Sequence, residues 1–519
     1  MRRKQLLMVL LFSVLTVLCA CNDGTKPEEL PNDISSGEPT YGGSIVVGIT
    51  QDLDSLDPHV AVAAGTDEVL FNLFEGLVKV DREGKYVAAV ASDYSISEDA
   101  LVYTFTLRDN VRFHNGKAVT VEDVVYSVKR YAGLLDVQDP NVVVESALLV
   151  IADVSATDEK TVVLTLSQPN TELLCYLTGA IIPCDYDGQA TAPVGTGPFC
   201  FVSYAPLESL VVKRFEEYYG ERAYLDQVTF KIFAGTDAAF LELMAGKIDI
   251  FPYLTEEQAA QLTGAYRIDV GSTNLVQALF LNNAKAPFDQ VSVRQALCYA
   301  INRQEILDML SGGRGALIGS SMYPGMSTYF NSELVEAYPY DTEKAKELLA
   351  QAGYPDGFSM TITVPSNYQY HMETAEILVE QLRSVGIRAQ IKPVEWASWL
   401  AEVYQGREYQ ATIVGLDSNL APGDILKRYR SDAKNNFINY SNEQFDAVYA
   451  AAIGSIGEAD KIALYHEAQA LLSRDAASVW LQDPASLTAV SKRLGGYHRY
   501  PIYAQDMASV YVIGTAEQE

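Results

Sequence analysis

Met360-Thr361-Ile362-Thr363-Val364, an amphipathic run from Glu373 to Val385, and then Ile387-Arg388-Ala389-Gln390-Ile391 decide the fold. A strand pattern, a helix pattern and a second strand pattern at this spacing read as a β-α-β unit. The helix returns the chain to the end of the sheet where it started, so the two strands run parallel. A second unit reads from Val228 to Phe233, through a helix at Asp237 to Ala245, to Ile248–Phe251. Gly246 sits where a helix-ending glycine belongs. Two such units predict α/β architecture, with sheets covered by helices.

The same periodicities extend outward. Ser44 to Ile49 reads as a buried strand. Leu101 to Leu107 alternates Tyr103, Phe105 and Leu107 with Val102, Thr104 and Thr106, which predicts a half-buried strand. Thr120 is placed to cap a helix whose apolar face is Val121, Val124, Val125 and Val128. Val293, Ala296, Leu297, Ala300 and Ile301 share one helical face. Ala345, Leu348, Leu349 and Ala352 share another, between Asp341 as cap and Gly353 as stop.

Arg2, Arg3 and Lys4 precede an apolar run from Leu6 to Val17, and Leu18-Cys19-Ala20-Cys21 follows. The run has the length of a signal-peptide core rather than of a membrane span. It resembles the bacterial lipoprotein signal, in which the cysteine, here Cys21, becomes the lipidated first residue. Residues 1–20 are then a signal peptide, and 21–40, with Pro27, Pro31, Gly37 and Pro39, a flexible tether. The rest of the chain is expected outside the cytoplasm, lipid-anchored to the bacterial cell membrane at the surface or in the periplasm. An ordinary secretory signal and an uncleaved anchor are the competing readings.

The 519 residues carry 67 acidic and 38 basic side chains, a formal charge of -29. That balance argues against nucleic acid, whose phosphates require lysine and arginine. It also argues against adsorption of the protein body to anionic lipid. Solubility accounts for it, and so does attraction of cationic solutes into an acidic cleft. Beyond Cys19 and Cys21 there remain Cys175, Cys184, Cys200 and Cys298, with no C-x-x-C and scattered histidines, so no zinc signature and no metal are expected. A Cys175–Cys184 disulfide and free thiols are both open. G-x-S-x-G, Gly-rich phosphate-loop and H-E-x-x-H patterns are missing, so no enzyme and no cofactor are expected.

The chain resembles the extracellular solute-binding proteins of ABC importers, in the family 5 branch that includes dipeptide-, oligopeptide- and nickel-binding proteins. Gly42-Gly43-Ser44 to Asp57-Pro58, Tyr103 to Gly116 (YTFTLRDNVRFHNG), Pro193 to Phe199 (PVGTGPF), Val293 to Arg303 (VRQALCYAINR), Asp341 to Gly357 and Val385 to Leu400 carry the resemblance, in family order. It implies a two-lobed, periplasmic-binding-protein-like fold of type II with an extra subdomain in the first lobe. Mapped here, 41–70, 190–270 and 490–515 form the first lobe, 71–189 the inserted subdomain and 271–489 the second lobe. Hinge crossings are expected near Gly271 to Leu281 and Pro484 to Gly496. The implied protein is a monomeric, lipid-anchored receptor without a cofactor. It captures a peptide or other small polar solute and passes it to an ABC permease served by its ATPase. A non-peptide polar or cationic solute or a nickel chelate is the alternative within that role. A secreted hydrolase and a surface sensor or adhesin are alternatives of other classes.

The resemblance also points to ligand-binding residues. Thr66 follows the first strand where relatives approach the ligand, and Trp396 resembles a cleft-wall aromatic. Gly415-Leu416-Asp417-Ser418-Asn419 corresponds to Gly-Trp-x-x-Asp in dipeptide-binding relatives, whose Asp pairs with the peptide ammonium. Here Leu416 replaces the Trp and Asn419 the Asp, leaving Asp417 as a substitute. Met372, beside His371, stands where the relatives' carboxylate-binding Arg stands. Thr66, Trp396, Asp417 and Asn419 are therefore the candidate ligand residues. Gly195-Thr196-Gly197 is read as structural.

Overall fold

A computed structural model describes residues 38–262, 264–366, 368–417 and 420–514. The leader, Cys21, nearly all of the tether and Asn419 lie outside the described residues.

One strand, Ser478–Ser491, organises the molecule. All but one of its residues are buried, so it has no solvent face and runs through the middle of the sheet. Its first residues pair antiparallel with Val276–Leu281, whose six residues are all buried. Its later residues, Ala485 to Ser491, pair with Tyr266–Ser272. On the first side the sheet continues through Ala411–Leu416 and Ser359–Pro365 to Arg388–Val394. On the other it continues through Ile250–Leu254, Ser44–Ile49, Gln227–Ile232 and Ser209–Arg214 to Phe199–Ala205. The change of partner falls at Gln482–Ala485, and the companion crossing lies between Ser272 and Val276. These are the two strands that join two α/β lobes.

The deciding stretch folds as its pattern requires: Ser359–Pro365 and Arg388–Val394 pair in parallel, joined by the helix Gln369–Arg383. That helix starts four residues earlier than its apolar run, because Gln369 and Tyr370 are polar or half-exposed and add no periodic signal. In the other unit the two strands are not neighbours. Ser44–Ile49 lies between Gln227–Ile232 and Ile250–Leu254, parallel to both. Local patterning cannot reveal a strand inserted from almost two hundred residues upstream.

Val102–Leu107 belongs to a separate four-stranded antiparallel sheet with Ala91–Ile96, Thr161–Leu166 and Ile151–Ala156. Tyr103, Phe105 and Leu107 point into its core, as the alternation predicts. The helix Val121–Tyr131 packs on it, closed at its start by a reciprocal Thr120–Asp123 capping box. This sheet is tied back to the first lobe by Arg130, which donates to both oxygens of Asp57 at 2.9 and 2.7 Å.

The most recognisable sequence motifs serve this framework. Gly195 and Gly197 lie against backbone, and a Cβ there would approach the carbonyl oxygens of Leu73 and Asn72 to 2.1 and 2.6 Å. His114 fastens the same loop, accepting from the Gly195 N–H at 3.2 Å and facing the Gly197 carbonyl at 3.0 Å. Burial lowers its pKa to about 4, which keeps the ring neutral. Arg294 donates to the carbonyls of Phe288, Asp475 and Ala476.

Candidate functional site

Where the strands cross between the lobes lies a cavity of about 580 Å³, partly open to solvent. Ser272, Thr273, Asn274, Ser486 and Thr488 of the crossing segments line it. The first lobe adds Asp67 and Glu68 from the helix Ala64–Leu70, and Tyr253. Glu75, Lys79, Tyr86 and Cys175 line it as well. The opposite lobe adds Asp417 and Asp424, and the segment Tyr497–Gln505 closes one side.

The hinge below is held by Asp483. Its carboxylate accepts from Thr273 Oγ1 at 2.9 Å, from the Leu275 N–H at 3.1 Å, and from the Ser272 hydroxyl. Burial pushes the Asp483 pKa up, so the clasp is made at an electrostatic cost.

The cavity wall is anionic. Glu68 accepts from Tyr253 Oη at 3.0 Å and from Gln505 Nε2 at 2.9 Å, while burial raises its pKa. Asp67 is open to the cavity, yet the surrounding protein and the nearby Asp54 raise its pKa to about 6. Glu75 is bridged by Lys79 at 2.9 Å and accepts from Tyr218 Oη at 2.7 Å. Arg499 spends Nε on Asp269 and Nη2 on the Asp269 carbonyl and Thr488 Oγ1.

Of the candidate residues, Asp417 lines the cavity. Thr66 does not: it is fully buried, and its hydroxyl accepts from the Asp54 N–H at 3.1 Å, fixing the loop beneath the helix. Its neighbours Asp67 and Glu68 face the cavity instead. Trp396 is 36 % exposed, stacked on Trp399 at 5.0 Å and edge-on to Tyr368 at 5.4 Å, outside the cavity lining. Asn419 lies outside the described residues. Met372 packs against the second-lobe core. The adjacent His371, lowered to about 4 by burial, accepts from the Gly415 N–H at 3.1 Å. A neutral ring thus holds the end of the strand Ala411–Leu416. Cys175 and Cys184 are both free, the first buried and the second exposed.

Sequence reasoning missed Asp67, Glu68, Glu75 and the tyrosines 253 and 503. The acidic pair beside Thr66, in a chain with a large acidic excess, was the signal available. Tyr253 carries none, because it reaches the site through tertiary packing.

A cavity set between two lobes on paired crossing strands is the architecture of a solute-binding protein. The family model "Bacterial extracellular solute-binding proteins, family 5 Middle" matches residues 85–437, and the chain belongs to that family. It is 28% identical over 452 residues to heme-binding protein A of Haemophilus influenzae, covering 80% of this chain and 82% of that one. It is equally identical, 28% over 478 residues, to the glutathione-binding protein GsiB of Salmonella typhimurium, covering 88% and 92%. Among solved structures, the Helicobacter pylori periplasmic binding protein DppA in complex with the peptide STSA superposes with a TM-score of 0.76. It is 26% identical, over 92% of this chain and 99% of that one. Family members are transport binding proteins. No helix among the described residues is long and apolar enough to cross a membrane.

Proposed function

We propose that this protein is the receptor of an ABC importer, taking a peptide-like solute between its lobes and presenting it to a membrane permease whose ATPase supplies the energy. The observation that carries this reading is the position of the cavity. It sits on the crossing strands and is walled by both lobes, so hinge motion would open and close it around a solute. Its volume lies within the roughly 300–1,000 Å³ of small-molecule sites. Lobe limits with 71–189 as the insert are part of the same proposal.

The finer features belong to the same proposal: a monomer, tethered through lipid on Cys21, acting outside the cytoplasm without catalysis. Cys175 supports the non-catalytic reading, because burial pushes its thiol pKa well above the ordinary range and leaves no thiolate nucleophile. Asp417 is the proposed ligand contact of the second lobe. Trp396 would act indirectly, by backing Tyr368.

Native mass spectrometry of the purified protein, followed by denaturing release, tests this. A small peptide-like solute bound one to one is the expected result. Turnover of a peptide library with release of fragments would overturn it in favour of a hydrolase.

A further inference from the structure

Five carboxylates line the cavity: Asp67, Glu68, Glu75, Asp417 and Asp424. Two have lysines of their own, Glu75 with Lys79 and Asp424 with Lys427 at 2.5 Å. Among the described residues the lining cations are Lys79 and Arg499; Lys79 pairs with Glu75 and Arg499 with Asp269, from where Arg499 only partly offsets Glu68, whose pKa is still raised by burial. Among the described residues, Asp67, Glu68 and Asp417 have no lysine or arginine within ion-pair distance. The Glu75 side chain is only 5% exposed, and its second oxygen has no hydrogen-bond partner among the described residues.

These groups converge from both lobes. Burial pushes the Tyr503 phenol pKa up, and Asp417, Glu68 and Asp483 lie close enough to add to it. Asp417 shares the cavity with the Asp67–Glu68 pair, and closure over a solute would strip water from all three. Confining like charges in a drying cleft is costly unless the solute supplies the opposite charge. A zwitterionic peptide does not supply it, because its ammonium arrives with a carboxylate.

We infer that the cleft selects a solute of net positive charge, a cationic short peptide or a comparable amine, held between Asp67 and Glu68 of the first lobe and Asp417 of the second. This rests on the receptor reading above. It separates this protein from its glutathione-binding relative, whose named solute is anionic at neutral pH.

Calorimetry of the purified protein near neutral pH, at low salt, compares trialanine, Ala-Lys-Ala, Ala-Glu-Ala and spermidine. Ala-Lys-Ala should bind roughly tenfold tighter than trialanine, and Ala-Glu-Ala more weakly than both. High salt and Asp417→Asn should each narrow that spread, since both reduce the same attraction. Asp417 is an exposed loop residue, so the variant should fold. Equal binding of the three peptides would overturn the charge selection and leave the receptor reading standing. Spermidine binding without peptide binding would support the charge selection and overturn the peptide reading. Binding of none of the four would overturn both.

Discussion

Glu172 offers a direct handle on closure. It precedes the buried Leu173 and Leu177, which belong to the core under the four-stranded sheet. Its carboxylate crosses to the second lobe, accepting from the Gly423 N–H at 2.9 Å and from the Tyr465 hydroxyl, with Lys461 Nζ at 3.8 Å. Thr171 beside it donates twice to the Ile453 carbonyl, at 3.1 and 3.0 Å. Glu172 and Lys461 are both buried. Glu172→Ala would leave a peptide N–H, a hydroxyl and an ammonium unpaired in the closed form, whereas in the open form water serves them. Each unsatisfied group costs about 1–3 kcal/mol. Allowing for partial relaxation and for the long Lys461 contact, the closed form should lose about 3 kcal/mol, roughly a hundredfold in the open–closed equilibrium. Solute affinity should fall by a comparable factor, because it scales with the closed population. Calorimetry with Ala-Lys-Ala measures the affinity, and thermal unfolding shows whether the variant folds. A folded variant with unchanged affinity would refute the reasoning and make the contact a static seam. Burial raises the Glu172 pKa, so Glu172→Gln, which keeps an acceptor without the charge, should cost much less than Glu172→Ala.

Arg130→Ala should lower stability by about 3–5 kcal/mol in denaturant unfolding, because it strands the buried Asp57 carboxylate. A loss below about 1 kcal/mol would mean that water reaches Asp57. Affinity for Ala-Lys-Ala should weaken from neutral pH to about 5. Asp67, raised to about 6, gains its proton in that window and stops attracting cations. Glu68, Tyr253, Asp417 and Arg499 face the same space and Asp54 lies close enough to act on Asp67, and Glu68, also raised by burial, would reinforce the trend. The sign for folding is opposite. A carboxylate whose pKa is raised in the folded protein favours folding below its ordinary pKa, and that contribution disappears as pH rises through about 6. A pH-independent affinity would remove Asp67 from the site. Asn419→Asp should tighten binding of short peptides with free amines in the same calorimetric assay. No gain would mean that Asp417 already holds that role.

The sequence was most readable where structure depends on short-range pattern. The parallel pair around Gln369–Arg383, the alternating strand Val102–Leu107 and the Thr120 cap all follow from local periodicity. The family motifs were legible for a similar reason: Gly195, Gly197, His114 and Arg294 meet backbone atoms at fixed geometry, so only those side chains fit. The site was far less legible. Its residues come from a short helix near residue 67, a loop near 253, the strand end at 417 and the segment near 500, and no single window contains them. Thr66 illustrates the difficulty. It occupies the expected loop, but the helical turn aims its hydroxyl at Asp54 and turns the next two side chains to the cavity. The strand Ser44–Ile49 was legible from its pattern, but its place between Gln227–Ile232 and Ile250–Leu254 was not, since that insertion is set by the whole sheet.

The central claim is capture by lobe closure, and small-angle X-ray scattering of the purified protein with and without saturating Ala-Lys-Ala addresses it most directly. The account predicts a more compact particle on binding, with no change in mass. Saturation by calorimetry without any change in the scattering profile would contradict it.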